Sequence, residues 1–140
     1  MMDCGRRDFV VRVAGALVAA LPGCAAVAVT RVSAPDGMIR LSLREHPRLT
    51  QPGGYLKLQP DALPFPVYVL AVDEGYAAVS PVCKHLGCIV NIEGPRLVCP
   101  CHGSMYDRQG FVLRGPTTQA LDVFPTTLTR EGELMIRVGG

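Results

Sequence analysis

The 140 residues contain no tryptophan and only four tyrosines and four phenylalanines, so a core of large aromatics is excluded. Beyond the first twelve residues there is no cluster of Lys and Arg, and the formal net charge is only +2. That excludes a basic nucleic-acid-binding face. No long segment with helical period follows residue 30, so a helical bundle is excluded too. No internal repeat and no low-complexity tract occurs. Neither a nucleophile–base set nor an acid pair can be identified. The isolated chain is therefore not expected to catalyse bond-making chemistry, and any enzymatic role belongs to an assembly.

What is present is 49% hydrophobic residues, 15 glycines, 12 prolines, six cysteines and three histidines. Such a Gly and Pro content fits short strands joined by tight turns. Expected strands are 38–43, 55–58, 67–72, 76–80, 89–92, 96–99, 110–113, 120–124, 126–129 and 134–138. Turn-forming groups separate them, such as Pro52-Gly53-Gly54, Asp73-Glu74-Gly75, Glu93-Gly94-Pro95 and Glu131-Gly132-Glu133. Strands at this spacing predict a small all-β antiparallel sandwich or barrel. The chain divides into 1–31, a signal and apolar anchor segment; 32–37, a linker; and 38–140, the working domain. About 100 residues bury only a modest core, so a cross-link or a metal would help to hold it.

The first segment reads as an address. Arg6, Arg7 and Arg12 precede an uncharged apolar run, 13–29, in the order of an export signal. Arg6-Arg7-Asp8-Phe9-Val10 resembles a twin-arginine signal, a route that exports proteins already folded around a cofactor. Three fates are open for the run. As a 17-residue helix it spans only ~25 Å against a ~30 Å hydrocarbon core, and it contains Pro22, so a transmembrane anchor is marginal. Leu21-Pro22-Gly23-Cys24 resembles a lipobox that would put a lipid on Cys24. Ala26-Val27-Ala28 fits a cleavage site. With anchor or lipid, the domain is expected on a membrane surface at the periplasmic or outer face.

Residues 83–106 carry the chemistry. Cys83-Lys84-His85-Leu86-Gly87-Cys88 and Cys99-Pro100-Cys101-His102-Gly103-Ser104-Met105-Tyr106 each offer a Cys and a His on one tight loop. A hairpin turning at Glu93-Gly94-Pro95 brings the loops side by side. Two metals fit. Zinc accepts two Cys and two His in a tetrahedron, usually with like ligands paired on one segment. One Cys and one His per loop is better explained by a [2Fe-2S] cluster whose thiolates hold one iron and whose imidazoles hold the other.

These two loops, followed by Arg114-Gly115-Pro116, resemble the cluster-binding loops and the proline-containing covering loop of Rieske iron–sulfur proteins. The resemblance is greatest to the subunit of quinol-oxidising cytochrome bc-type complexes. It implies a Rieske-type antiparallel β-sandwich with a small cluster-binding subdomain. It implies that Cys83 and Cys99 bind one iron of a [2Fe-2S] cluster, and His85 and His102 the redox-active one. It further implies a Cys88–Cys101 disulfide between the loops, which fits an oxidising compartment. Ser104 would donate to a bridging sulfide and Tyr106 to the sulfur of Cys83. Both raise the potential, toward the upper part of the ~ −150 to +300 mV range of such centres. Leu86, Gly115 and Pro116 would cover the cluster and form a docking surface.

The function so implied is that of a one-electron carrier. It would take an electron from a quinol held by a cytochrome b-type subunit and pass it to a cytochrome c or a copper protein. Two other readings stand beside it: the Rieske subunit of another exported oxidoreductase, arsenite-oxidase-like, and a structural zinc module. Three features depart from the family pattern. Lys84 stands where Thr is frequent, and a cation there favours the reduced cluster. Only 13 residues separate His85 from Cys99. The covering loop, Gly115-Pro116-Thr117-Thr118, lacks a second proline. His46 and Cys4 are assigned no role.

Overall fold

The computed structural model describes residues 28–139. Twelve strands follow in order: β1 Val29–Val32, β2 Met38–Ser42, β3 Tyr55–Pro60, β4 Val67–Val72, β5 Gly75–Val79, β6 Asn91–Glu93, β7 Arg96–Val98, β8 Met105–Asp107, β9 Val112–Arg114, β10 Val123–Phe124, β11 Thr126–Leu128 and β12 Glu133–Arg137. Between β2 and β3 lies a 3-10 turn, Pro47–Thr50. The strands form three sheets, ordered β1-β3-β4-β5-β10, β11-β12-β2 and β6-β7-β8-β9. The described residues are thus all-β. The expected N-terminal anchor helix and the twin-arginine and lipobox motifs lie outside them.

The pattern of side chains explains the layering. In β2 and β12, Ile39, Leu41, Leu134 and Ile136 point inward. They meet Leu56 and Leu58 of β3 and Val67 and Val69 of β4 across the gap between the first two sheets. Period-two alternation places one residue in two on each face. Strand β4 departs from it, because Val67, Tyr68, Val69 and Leu70 are all buried. Its odd residues join the base core, while Tyr68 and Leu70 join a second core with Val79, Val90, Leu97, Tyr106 and Leu121. Strands β4 and β5 are therefore a shared wall. The β6–β9 sheet packs on the side of that wall away from the base core.

Arg108, in the turn between β8 and β9, fastens the two parts together. Its guanidinium donates to the carbonyls of Ala71, Gly94, Gly53 and Gly54 at 3.0, 2.9, 3.0 and 2.7 Å. Five donors in a planar fork suit such a junction.

One expectation needs correction. The sheets are not wholly antiparallel, since β1 runs parallel to β3, pairing Val29 with Lys57 through Val32 with Pro60. Strand β1, Val29–Val32, lies where the expected anchor segment meets the expected linker. Val32 accepts from the Asp61 N–H at 3.1 Å. Buried Ala34 donates its N–H to the Asp61 carboxylate at 2.9 Å. The register of β1 depends on residues 28 positions away, which local composition does not reveal.

Candidate functional site

The hairpin of β6 and β7 pairs Asn91 with Val98 and turns at Gly94-Pro95. It sets the loop before it, 83–88, beside the loop after it, 99–104. Both loops close in the same way. The Cys83 N–H donates to the Cys88 carbonyl at 2.7 Å, and Cys99 N–H to that of Ser104 at 2.8 Å. The Gly87 N–H donates back to Cys83 at 2.9 Å, and Gly103 N–H to Cys99 at 3.0 Å. Each glycine sits in the left-handed region, at φ +81° and +77°, where a Cβ is strained and glycine is not.

This frame buries one side chain and exposes another in each loop. Cys83 and Cys99 are free thiols, 1% and 2% exposed. His85 and His102 face solvent, their rings edge-to-face with centroids 4.8 Å apart. Between the loops, Cys88 and Cys101 form a disulfide with Cα atoms 6.5 Å apart. The sulfurs of Cys88, Cys99 and Cys101 lie within 4.8 Å of one another. Two of them are committed to the disulfide, so that trio is not itself a metal site, and Cys99 alone of the three keeps a thiol.

Tyr106 reaches the first loop from β8. Its hydroxyl lies 3.2 Å from Cys83 Sγ and accepts from the Lys84 N–H at 3.2 Å. Burial pushes the Tyr106 hydroxyl above its usual value, and its hydrogen bond to Cys83 pushes it further. The phenol is a donor within reach of that sulfur. At Cys83, burial is the largest single influence and acts upward. Hydrogen bonds from Tyr106, the His85 backbone, Cys99 and Ser104 together outweigh it and hold the thiol below its ordinary range. A thiolate is the form that binds metal.

Buried Ser104 accepts the Thr117 N–H at 3.2 Å, which leaves its own hydroxyl hydrogen to donate. This ties the covering loop, with its cis Gly115–Pro116 bond, to the second cluster loop. Gly115 and Pro116 are exposed, as is Leu86 at 68%. Thr117 is buried, and its hydroxyl caps the Gln119 carbonyl at 3.2 Å. Sequence reasoning assigned it no role. The only signal was its place directly after Gly115-Pro116.

Lys84, read from the sequence as a cation that favours the reduced cluster, has an anionic partner. Its Nζ lies 2.6 Å from Asp122 Oδ2. Asp122 was also missed, because 38 residues separate the pair.

The donor set fits a cluster with unlike irons. Two buried thiols, one held toward thiolate, stand with two exposed imidazoles beside them. Hydroxyl donors from Ser104 and Tyr106 are available to sulfur. Such a centre takes thiolates on one iron and imidazoles on the other.

Comparison with known proteins gives the same answer. The cytochrome b6-f complex iron-sulfur subunit of Synechococcus elongatus is 39% identical over 75 residues, 50% of this chain and 42% of that protein. The cytochrome b6-f complex iron-sulfur subunit 2 of Synechocystis sp. is 36% identical over 76 residues, 51% and 42%. The matched stretch thus spans less than half the length of these relatives. The crystal structure of the cyanobacterial plasma membrane Rieske protein PetC3 from Synechocystis PCC 6803 is 28% identical. It aligns with a TM-score of 0.54, over 70% of this chain and 97% of that one. Residues 50–125 match the Rieske [2Fe-2S] domain family, more than half of the chain. With that match and this donor set, the chain belongs to the Rieske family and its cofactor is a Rieske [2Fe-2S] cluster.

Proposed function

We propose that the protein is a one-electron carrier that takes an electron from a quinol and passes it to a cytochrome or copper protein in a cytochrome bc- or b6-f-type complex. The observation that carries this reading is the burial contrast at the site. The thiols of Cys83 and Cys99 are enclosed, while the rings of His85 and His102 are open to a partner. In this reading Cys83 and Cys99 hold one iron, and His85 and His102 hold the other. When bound, the cluster supplies one-electron redox chemistry at an iron with imidazole ligands.

The chain's own residues do the rest. The outward imidazoles can accept a hydrogen bond from a quinol hydroxyl and take up its proton. Leu86, the most exposed large apolar side chain among the described residues, offers an apolar contact beside them. The Cys88–Cys101 disulfide keeps the two loops from separating. Tyr106 and Ser104 donate toward sulfur and so favour the more negative, reduced state. The cytochrome b6-f relatives support this reading over an arsenite-oxidase-like assembly.

A domain of 38–140 would be the cluster-bearing unit, extended by β1 at its N-terminal edge. No helix among the described residues is long and apolar enough to cross a membrane. Strand β1 begins where the apolar run ends, so a retained anchor or a lipid on Cys24 would hold the domain close to the membrane surface.

Two measurements test the reading. The purified full chain should contain two iron and two labile sulfide per molecule and give an EPR signal on reduction. A colourless protein with one zinc and no such signal would overturn it. Solubilised from its native membrane, the chain should co-purify with a b-type haem subunit. A molybdopterin subunit in its place would overturn the quinol-oxidising assignment in favour of another oxidoreductase.

A further inference from the structure

Lys84 lies between Cys83 and His85, so its charge is the nearest fixed charge in the sequence to both proposed ligands. Its side chain is only 29% exposed, and its Nζ is 2.6 Å from the Asp122 carboxylate. Its N–H is held by the same Tyr106 hydroxyl that contacts Cys83. Asp122 is fixed in turn. Its carbonyl accepts the Ser80 N–H at 2.8 Å, and the next residue, Val123, pairs with Val79 in the shared wall. Neighbouring Leu121 is buried and donates its N–H to the Gly110 carbonyl at 2.9 Å. The pair therefore bridges the first cluster loop to the segment that returns from the covering loop. No other salt bridge joins described side chains.

We propose that Asp122 is a positioning and charge-cancelling residue for the cluster, and that the Lys84–Asp122 pair sets the reduction potential by presenting no net charge beside the first loop. A half-exposed ion pair contributes little to stability. Its effect on an electron arriving nearby is different in kind. The added electron makes the site more negative, so an uncompensated cation favours reduction and an uncompensated anion opposes it. Paired at contact distance, the two largely cancel. The inference rests on the assignment of Cys83 and His85 as cluster ligands.

The test is a redox titration of the cluster-loaded full chain, followed by EPR or visible circular dichroism, in wild type, Asp122→Asn, Lys84→Gln, the double variant and Lys84→Arg. Asp122→Asn should shift the midpoint upward and Lys84→Gln downward. The double variant should return to the wild-type value, and Lys84→Arg should stay there because the pair persists. Both single shifts should shrink as ionic strength rises. Shifts of the same sign in both single variants, or no shift in either, would overturn the proposal. So would a double variant equally displaced, since a loop merely loosened by loss of the bridge stays loosened. Failure of the ligand assignment looks different, because iron, sulfide and the EPR signal would then be missing from wild type itself.

Discussion

The two cluster loops share one backbone frame and carry different side chains on it. Counting from the cysteine, the first loop places Lys, His, Leu, Gly and Cys at the next five positions, and the second places Pro, Cys, His, Gly and Ser. Cysteine and glycine coincide, and so do the two hydrogen bonds that close each loop. Histidine is displaced by one position. The disulfide joins the fifth position of the first loop to the second position of the other. The frame thus accounts for the buried sulfur, and the remaining positions decide what else each loop does. The first position shows this. Lys84 has an N–H to give to Tyr106, and it does so. Pro100 has none, so the second loop receives its polar support from the opposite end, at Ser104.

If the frame makes the two cysteines equivalent, they should fail alike. Cys83→Ser and Cys99→Ser should each remove all bound iron and labile sulfide, with loss of the visible spectrum. This is the largest effect expected of any substitution in the molecule. Retention of a full cluster by either variant would break the equivalence.

The disulfide is where the loops cease to be equivalent, because it takes a different position from each. It closes a segment of 13 residues in sequence separation. Cross-linking a loop of about that length is worth about 3 kcal/mol. Cys88→Ser and Cys101→Ser should each lower the denaturant midpoint for cluster loss by a corresponding amount. Strands β2, β3 and β12 of the base core share no residue with that segment, so far-ultraviolet unfolding should move less than cluster loss. Equal movement of both signals would mean that the loops and the base form a single cooperative unit.

Much of this was legible in the chain. The two loops that carry the proposed ligands were, because each loop is local and its cysteine, histidine and glycine stand within five positions. Nine of the twelve strands fall within two residues of their expected limits at both ends. The others show what local pattern cannot supply. Strand β10 was expected over 120–124 and shrinks to Val123–Phe124, because Leu121 instead bonds to Gly110. Strand β9, within that tolerance, begins two residues late, after Phe111 is drawn back to Asp107. Strand β1 was hidden at the end of a segment that reads as an address, starting at the last residue of its apolar run. Strand β8 was hidden in the motif, where Met105, Tyr106 and Asp107 read as the end of a ligand loop. Arg108, Asp122 and Thr117 escaped for one reason: their contacts lie 13 to 55 residues away.

The glycines test the shared frame more finely. At Gly87 and Gly103 no atom lies within 4 Å of the place a Cβ would take, so alanine would meet no clash at either. Only backbone strain remains, at φ +81° and +77°. An L-residue there costs roughly 1–2 kcal/mol. Gly87→Ala and Gly103→Ala should therefore destabilise the cluster-loaded protein by similar amounts in denaturant unfolding. A clear inequality would show that one loop relaxes and the other does not.

The smallest effect concerns the one side chain that belongs to the second loop's strand and serves the first. Tyr106 is fully buried on β8, opposite Leu97, and its hydroxyl meets Cys83 and Lys84 rather than Cys99. Tyr106→Phe removes one donor and keeps the ring, so packing is preserved. A donor to sulfur stabilises the reduced state more than the oxidised one, because reduction adds negative charge there. The midpoint should therefore fall. A hydrogen bond of net ~1 kcal/mol, counted as a difference between the two redox states, corresponds to about 40 mV for one electron. Ser104→Ala should shift the midpoint in the same direction, but it also leaves the Thr117 N–H without its acceptor and loosens the covering loop. The phenylalanine variant is thus the cleaner measurement. A midpoint that holds or rises would mean that Tyr106 only packs the second core, and that the first loop owes nothing electronic to its neighbour.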